Sequence, residues 1–82
     1  YFYPMDSSGG TITFTLDSGG GAEIGDEWEF FVLDLSNDIT FAAAPGESII
    51  SENGLKANAV GSGIVAKFIA TNTWALVGSL KS

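Results

Sequence analysis

The chain contains no cysteine, no histidine and no arginine. Without cysteine there is no disulfide framework, no thiolate zinc cluster and no thiol nucleophile, and without histidine there is no imidazole base. Positive charge is scarce. Three lysines stand against ten acidic residues, a formal net charge of −7 at pH 7. A phosphate backbone is repelled by that balance, so no nucleic-acid partner is expected. No apolar run approaches bilayer length, and the N-terminus lacks a basic region followed by an apolar stretch, so membrane insertion is not expected either.

Apolar residues dominate what remains. Hydrophobic residues make up 45% of the sequence and charged residues only 16%, the reverse of a disordered tail. The 82 residues suffice for a single domain, 1–82. Size scaling gives a folded surface of roughly 4,700 Å² against roughly 12,300 Å² unfolded, so about 60% is buried. That margin is narrow for a lone monomer, and association would widen it. A start at Tyr1 reads as a fragment of a longer protein.

Eleven glycines break the chain into short segments. Thr11 to Leu16 alternates strictly, with Ile12, Phe14 and Leu16 on one face and threonines on the other, the pattern of a half-buried strand. Tyr1, Phe2 and Tyr3 read as a short strand ended by Pro4. Trp28 to Leu35 differs, because Trp28, Phe30 and Val32 point one way and Phe31, Leu33 and Leu35 the other. A strand apolar on both sides needs a second surface, and a neighbouring subunit is the economical one. Ile39 to Phe41 and Ser48 to Ile50 follow, separated by the Pro45-Gly46 turn. Asn53-Gly54 is a hairpin signal, with Leu55 to Val60 as the returning strand. In Ile64 to Ala70, the residues Ile64, Ala66 and Phe68 alternate with Val65, Lys67 and Ile69, and the last strand carries Trp74 and Leu76. Ile12-Thr13-Phe14 is echoed by Ile39-Thr40-Phe41, too short a match to define a repeat. The expected fold is all-β: a small antiparallel sandwich or barrel of about seven to eight short strands.

Few residues suggest chemistry. Gly61, Gly63 and Ala66 match a dinucleotide-binding spacing, but the following segment alternates as a strand instead of opening a helix, so a turn is the reading. Gly19 to Gly21 lacks the lysine of a phosphate loop. Asp26, Glu27 and Glu29 cluster before the longest apolar strand, where two carboxylates suit a hard cation or glycoside hydrolysis; an acidic solvated loop is the plainer reading. Trp28 and Trp74 offer faces for sugar stacking but lie in phase with apolar neighbours, which favours packing, and Tyr1 and Tyr3 stay open to a contact role. Lys56 and Lys67 stand alone inside strands, where they can pair with acids or protect an edge. No catalytic residue, cofactor or metal is assigned.

Taken in order, Tyr1-Phe2-Tyr3, Thr11 to Leu16, Gly25 with Glu27 to Asp34, Ile39-Thr40-Phe41 with Gly46, and Asn72-Thr73-Trp74-Ala75-Leu76-Val77-Gly78 resemble a β-domain of bacteriophage tail fibres and related virion appendage proteins. The resemblance spans nearly the whole chain and departs at Gly19 to Gly21, where a more ordered approach belongs. It implies a non-enzymatic structural module of the virion, assembled as a homotrimer, in contact with other virion proteins and with a host-surface glycan. Similar domains also decorate capsids, so a cement role stands as the alternative, and a carbohydrate-binding module is the rival of another class. Phe14, Trp28, Phe30, Phe31, Leu33, Phe41, Phe68 and Trp74 are the expected core and subunit interface.

Overall fold

The computed structural model describes residues 2–17, 19 and 22–82. Tyr1, Ser18, Gly20 and Gly21 lie outside the described residues, and with them the contact role of Tyr1 and most of the Gly19 to Gly21 connection. The described residues form nine strands and no helix: β1 (Phe2–Asp6), β2 (Ile12–Leu16), β3 (Glu27–Asp34), β4 (Ile39–Ala43), β5 (Ser48–Ser51), β6 (Lys56–Ala57), β7 (Gly63–Ala70), β8 (Thr73–Gly78) and β9 (Leu80–Lys81). They make a five-stranded sheet in the order β1-β3-β7-β8-β5 and a four-stranded sheet in the order β2-β4-β6-β9. The all-β sandwich expected from the alternation is therefore present.

Both sheets are mixed, not purely antiparallel, because β1 with β3, β2 with β4, and β5 with β8 run parallel. From β1 to β7 successive segments alternate between the sheets, so a strand reaches its neighbour only after a crossover. The triad echo acquires a structural meaning here. Ile12, Thr13 and Phe14 lie directly beside Ile39, Thr40 and Phe41. Matching triads in register set Ile beside Ile and Phe beside Phe on the inner face, with the Phe14 and Phe41 rings 6.4 Å apart.

Two boundaries differ from expectation. Strand β1 continues through Pro4 to Asp6, which proline permits because β1 is an edge strand and its missing N–H leaves no neighbour unpaired. Asn53-Gly54 does not close a hairpin. Strand β5 belongs to the five-stranded sheet and β6 to the four-stranded one, so this turn carries the chain between sheets. Gly54 has φ 119°, and any Cβ there would strike the Lys81 backbone, so close approach to the C-terminal strand excludes a side chain. The tight hairpin turn lies instead between β7 and β8, where Asn72 takes φ 57°. Strand β9 is additional, and Leu35, past the end of β3, packs against the core instead of continuing the outer row.

Phe30 sits at the centre of the core, 1% exposed. Its ring lies 5.4 Å from Tyr3, 4.8 Å from Phe14 and 4.9 Å from Phe41. A second group gathers around fully buried Trp74, whose ring is 4.9 Å from both Trp28 and Phe68. Aromatic pairs at such distances contribute roughly 0.5–1.5 kcal/mol each beyond simple burial. The Trp74 indole N–H donates to Glu47 Oε1 at 2.8 Å, so the large buried ring keeps a partner for its polar atom. Ser7 fastens the end of β1 to the β3–β4 connection: its hydroxyl lies 2.6 Å from the Asn37 carbonyl, and the Asn37 side-chain amide donates to the Ser7 carbonyl at 2.7 Å.

Candidate interaction surface

The two outward faces of the sandwich differ in kind. On the four-stranded sheet, Thr13, Thr40, Lys56 and Lys81 form one cross-strand row, flanked by exposed Thr11 and Thr15. That is a wet face. On the five-stranded sheet, register aligns Phe2, Glu29, Val65 and Val77 in one row and Pro4, Phe31 and Gly63 in the next. A third row runs Glu27, Lys67, Ala75 and Ile50. Leu33 and Ile69 extend the same phase at opposite ends of the sheet.

Period-two alternation produces this face. The inward set Trp28, Phe30, Val32, Ile64, Ala66, Phe68, Trp74 and Leu76 fills the core, which forces the intervening residues outward, apolar or not. Relative exposure is 61% for Phe2, 38% for Phe31, 53% for Leu33, 61% for Ile50, 40% for Ile69 and 57% for Val77. Summed, these six expose roughly 600 Å² of apolar surface, interrupted by Glu27, Glu29 and Lys67. Loose packing is not the cause. The chain's accessible surface of 4474 Å² matches the ~4,700 Å² expected of a folded monomer of this mass.

Charge is sparse on the face. Among the described strand residues that point outward in these rows, only Glu27, Glu29 and Lys67 are charged. Glu27 and Lys67 are cross-strand partners with their charged atoms 3.6 Å apart. The pair is half-exposed, and its net contribution is at most about 1 kcal/mol. Lys56 pairs with Asp38 at 3.5 Å on the opposite sheet. Most other acidic residues lie in turns or at strand ends, where several cap backbone N–H groups: Asp17 accepts from Gly19, Asp26 from Glu23, and Asp34, the last residue of β3, from Ser36.

At one edge of the same sheet, β5 turns away after Ser51 while β8 continues to Gly78. The notch left behind is an open hollow of about 300 Å³ bounded by Ile50, Ser51, Glu52, Asn53, Val77 and Leu80.

The eight residues expected at the core and interface divide cleanly. Phe30, Phe41, Phe68 and Trp74 are buried, Phe14 and Trp28 are half-buried against the core, and Phe31 and Leu33 lie on the outer face. Trp28 and Trp74 pack as their phase predicts, Trp74 fully buried and Trp28 with Tyr3 in the aromatic cluster, so neither ring stands free for sugar stacking. Asp26, Glu27 and Glu29 do not converge, and among the described residues no group of three acidic side chains is placed to hold a metal. Gly61 and Gly63 lead into β7, a strand, so no helix N-terminus stands there to receive a phosphate. Ile50, Ile69 and Val77 belong to the face although sequence reasoning did not single them out. The double alternation of β7 and β8 places Ile69 and Val77 in the outward phase, and Ile50 joins them only through its register with Ala75.

No protein-family model, no curated protein and no solved structure matches this chain.

Proposed function

We propose that this chain is a non-enzymatic structural β-domain of a bacteriophage virion, belonging to a tail-fibre or spike appendage, and that it works as a homotrimer by packing and presentation. The carrying observation is the outer face of the five-stranded sheet, where Phe2, Phe31, Leu33, Ile50, Ile69 and Val77 meet solvent in the isolated chain. Leaving that much apolar surface wet costs free energy that a sister chain recovers by covering it. The absence of cysteine, histidine and arginine supports a role without catalysis, and the resemblance in the order of its segments supports the appendage and the three-fold assembly. Contact with other virion proteins and with a host-surface glycan follows from the same resemblance.

Native mass measurement of the 82-residue chain at low micromolar concentration tests the assembly. A three-copy mass is expected, and a stable, folded monomer overturns the reading. Particle imaging separates tail from capsid: density at the tail supports the appendage, and density on the head lattice replaces it with a decoration protein.

A further inference from the structure

Resting on the oligomeric reading above, we infer that the two halves of the outer face are complementary to each other, so that the β1–β3 half of one copy seats on the β5–β8 half of a second copy of this chain. The protrusions and the recess are separated across the sheet. Phe2, Phe31 and Leu33 project from β1 and β3, whereas the notch of about 300 Å³ opens at the β5–β8 edge between Ile50 and Val77. Two copies stacked face to face with their strand order reversed lay β1 and β3 of one over β5 and β8 of the other, which sets Glu29 over Val77 and brings Phe2 and Phe31 toward the notch. Used head to tail around a ring, the same half-to-half contact closes a cyclic assembly.

Size and charge both select a second copy as the occupant. With the flanking Pro4, Glu29, Val65, Lys67 and Ala75, the face approaches the ~800 Å² that a standard interface takes from each partner. A chain of net charge −7 repels its own copies everywhere except where its charge is cancelled or absent. This face approaches that condition, because Glu27 is matched by Lys67 and the remaining acidic residues, Glu29, the strand-end Asp6 and Glu52 at the notch apart, lie off the outward strand positions.

A charge-swap series read by sedimentation equilibrium tests the pairing. Phe2→Lys and Val77→Glu replace residues that are more than half exposed in the single chain, so each variant should retain its far-ultraviolet circular dichroism. Each should weaken association at least about tenfold, since each puts an unpaired charge into the contact. The double variant should recover association, because the lysine introduced in β1 of each copy then lies beside the glutamate introduced in β8 of its neighbour. Single variants that associate like the wild type, or a double variant as weak as the singles, overturn the pairing of halves while leaving the oligomer intact. A monomeric wild-type chain overturns the oligomeric reading itself. If a charged variant loses its dichroism, Phe2→Gln and Val77→Thr replace the singles: weakened association supports this face as the contact, and wild-type association refutes it.

Discussion

Phe30 and Phe31 are adjacent in sequence and identical in chemistry, yet they belong to different energetic systems. Phe30 is 1% exposed and its ring is within 5.4 Å of three other aromatic rings. Replacing it with leucine removes ring volume that the surrounding side chains cannot refill and weakens three aromatic contacts. The expected cost is about 2 kcal/mol, below the full Phe→Ala penalty. For a domain of this size each kcal/mol moves Tm by about 6 °C, so Phe30→Leu should melt about 12 °C below wild type. Phe31→Leu changes a 38% exposed position on the outer face, and within the single chain it should shift stability by less than about 0.5 kcal/mol. Its effect is on association instead. Covering the face stabilises the folded state by mass action, so wild-type Tm rises with protein concentration. Thermal melts across a hundredfold dilution series separate the two effects. The Phe30→Leu deficit should stay constant with concentration, and the Phe31→Leu deficit should grow as concentration rises and vanish on dilution. Equal, concentration-independent deficits for the two variants would refute the division of β3 into a core side and an association side.

Gly78→Ala should destabilise the fold by more than about 2 kcal/mol, because Gly78 has φ 127° and an added Cβ runs into the Gly63 backbone across the β7–β8 pair. Gly61→Ala, at φ 83° with open space around it, should cost only about 1 kcal/mol, and chemical denaturation of both variants checks the ordering. The Asp6 carboxyl is held below the ordinary aspartate range by hydrogen bonds from the side chain and then the backbone of Ser8. A depressed folded pKa stabilises the native state above the unfolded aspartate pKa, and this contribution fades as pH falls through the lower folded value. Carboxyl-carbon NMR titration should therefore place Asp6 below a model peptide, and a midpoint at or above the peptide's contradicts the Ser8 contact. Calcium should leave Tm unchanged, because Asp26, Glu27 and Glu29 do not converge; a rise of several degrees that a chelator reverses would show that they do.

Local chemistry made much of the fold legible in the sequence. Strict alternation placed β2 and its inward face, and apolar runs bounded by turn residues placed β3, β7 and β8. Pairing was harder to read, because parallel neighbours joined by crossovers leave no short-range turn signal. Asn53-Gly54 illustrates the difficulty: the dipeptide satisfies the backbone needs of a hairpin, but β5 finds its partner in β8 and β6 finds its partners in β4 and β9. Pro4 misled in a related way, as proline stops a central strand but not an edge strand, and edge status is a property of the sheet. Of the outer face, β3 announced itself through apolar residues in both phases. Ile50, Ile69 and Val77 join Phe31 and Leu33 only once the register aligns their strands, which no single segment encodes.

The central claim is that sister chains cover the outer face of the five-stranded sheet. Because the chain has no native cysteine, Val77→Cys provides a single thiol on that face and Thr13→Cys a single thiol on the polar one. In the assembled protein, maleimide should label the Val77→Cys thiol at least about tenfold more slowly than the Thr13→Cys thiol, with the protection lost on dilution to monomer. Equal labelling rates in the assembled state would show the face open to water and contradict the claim.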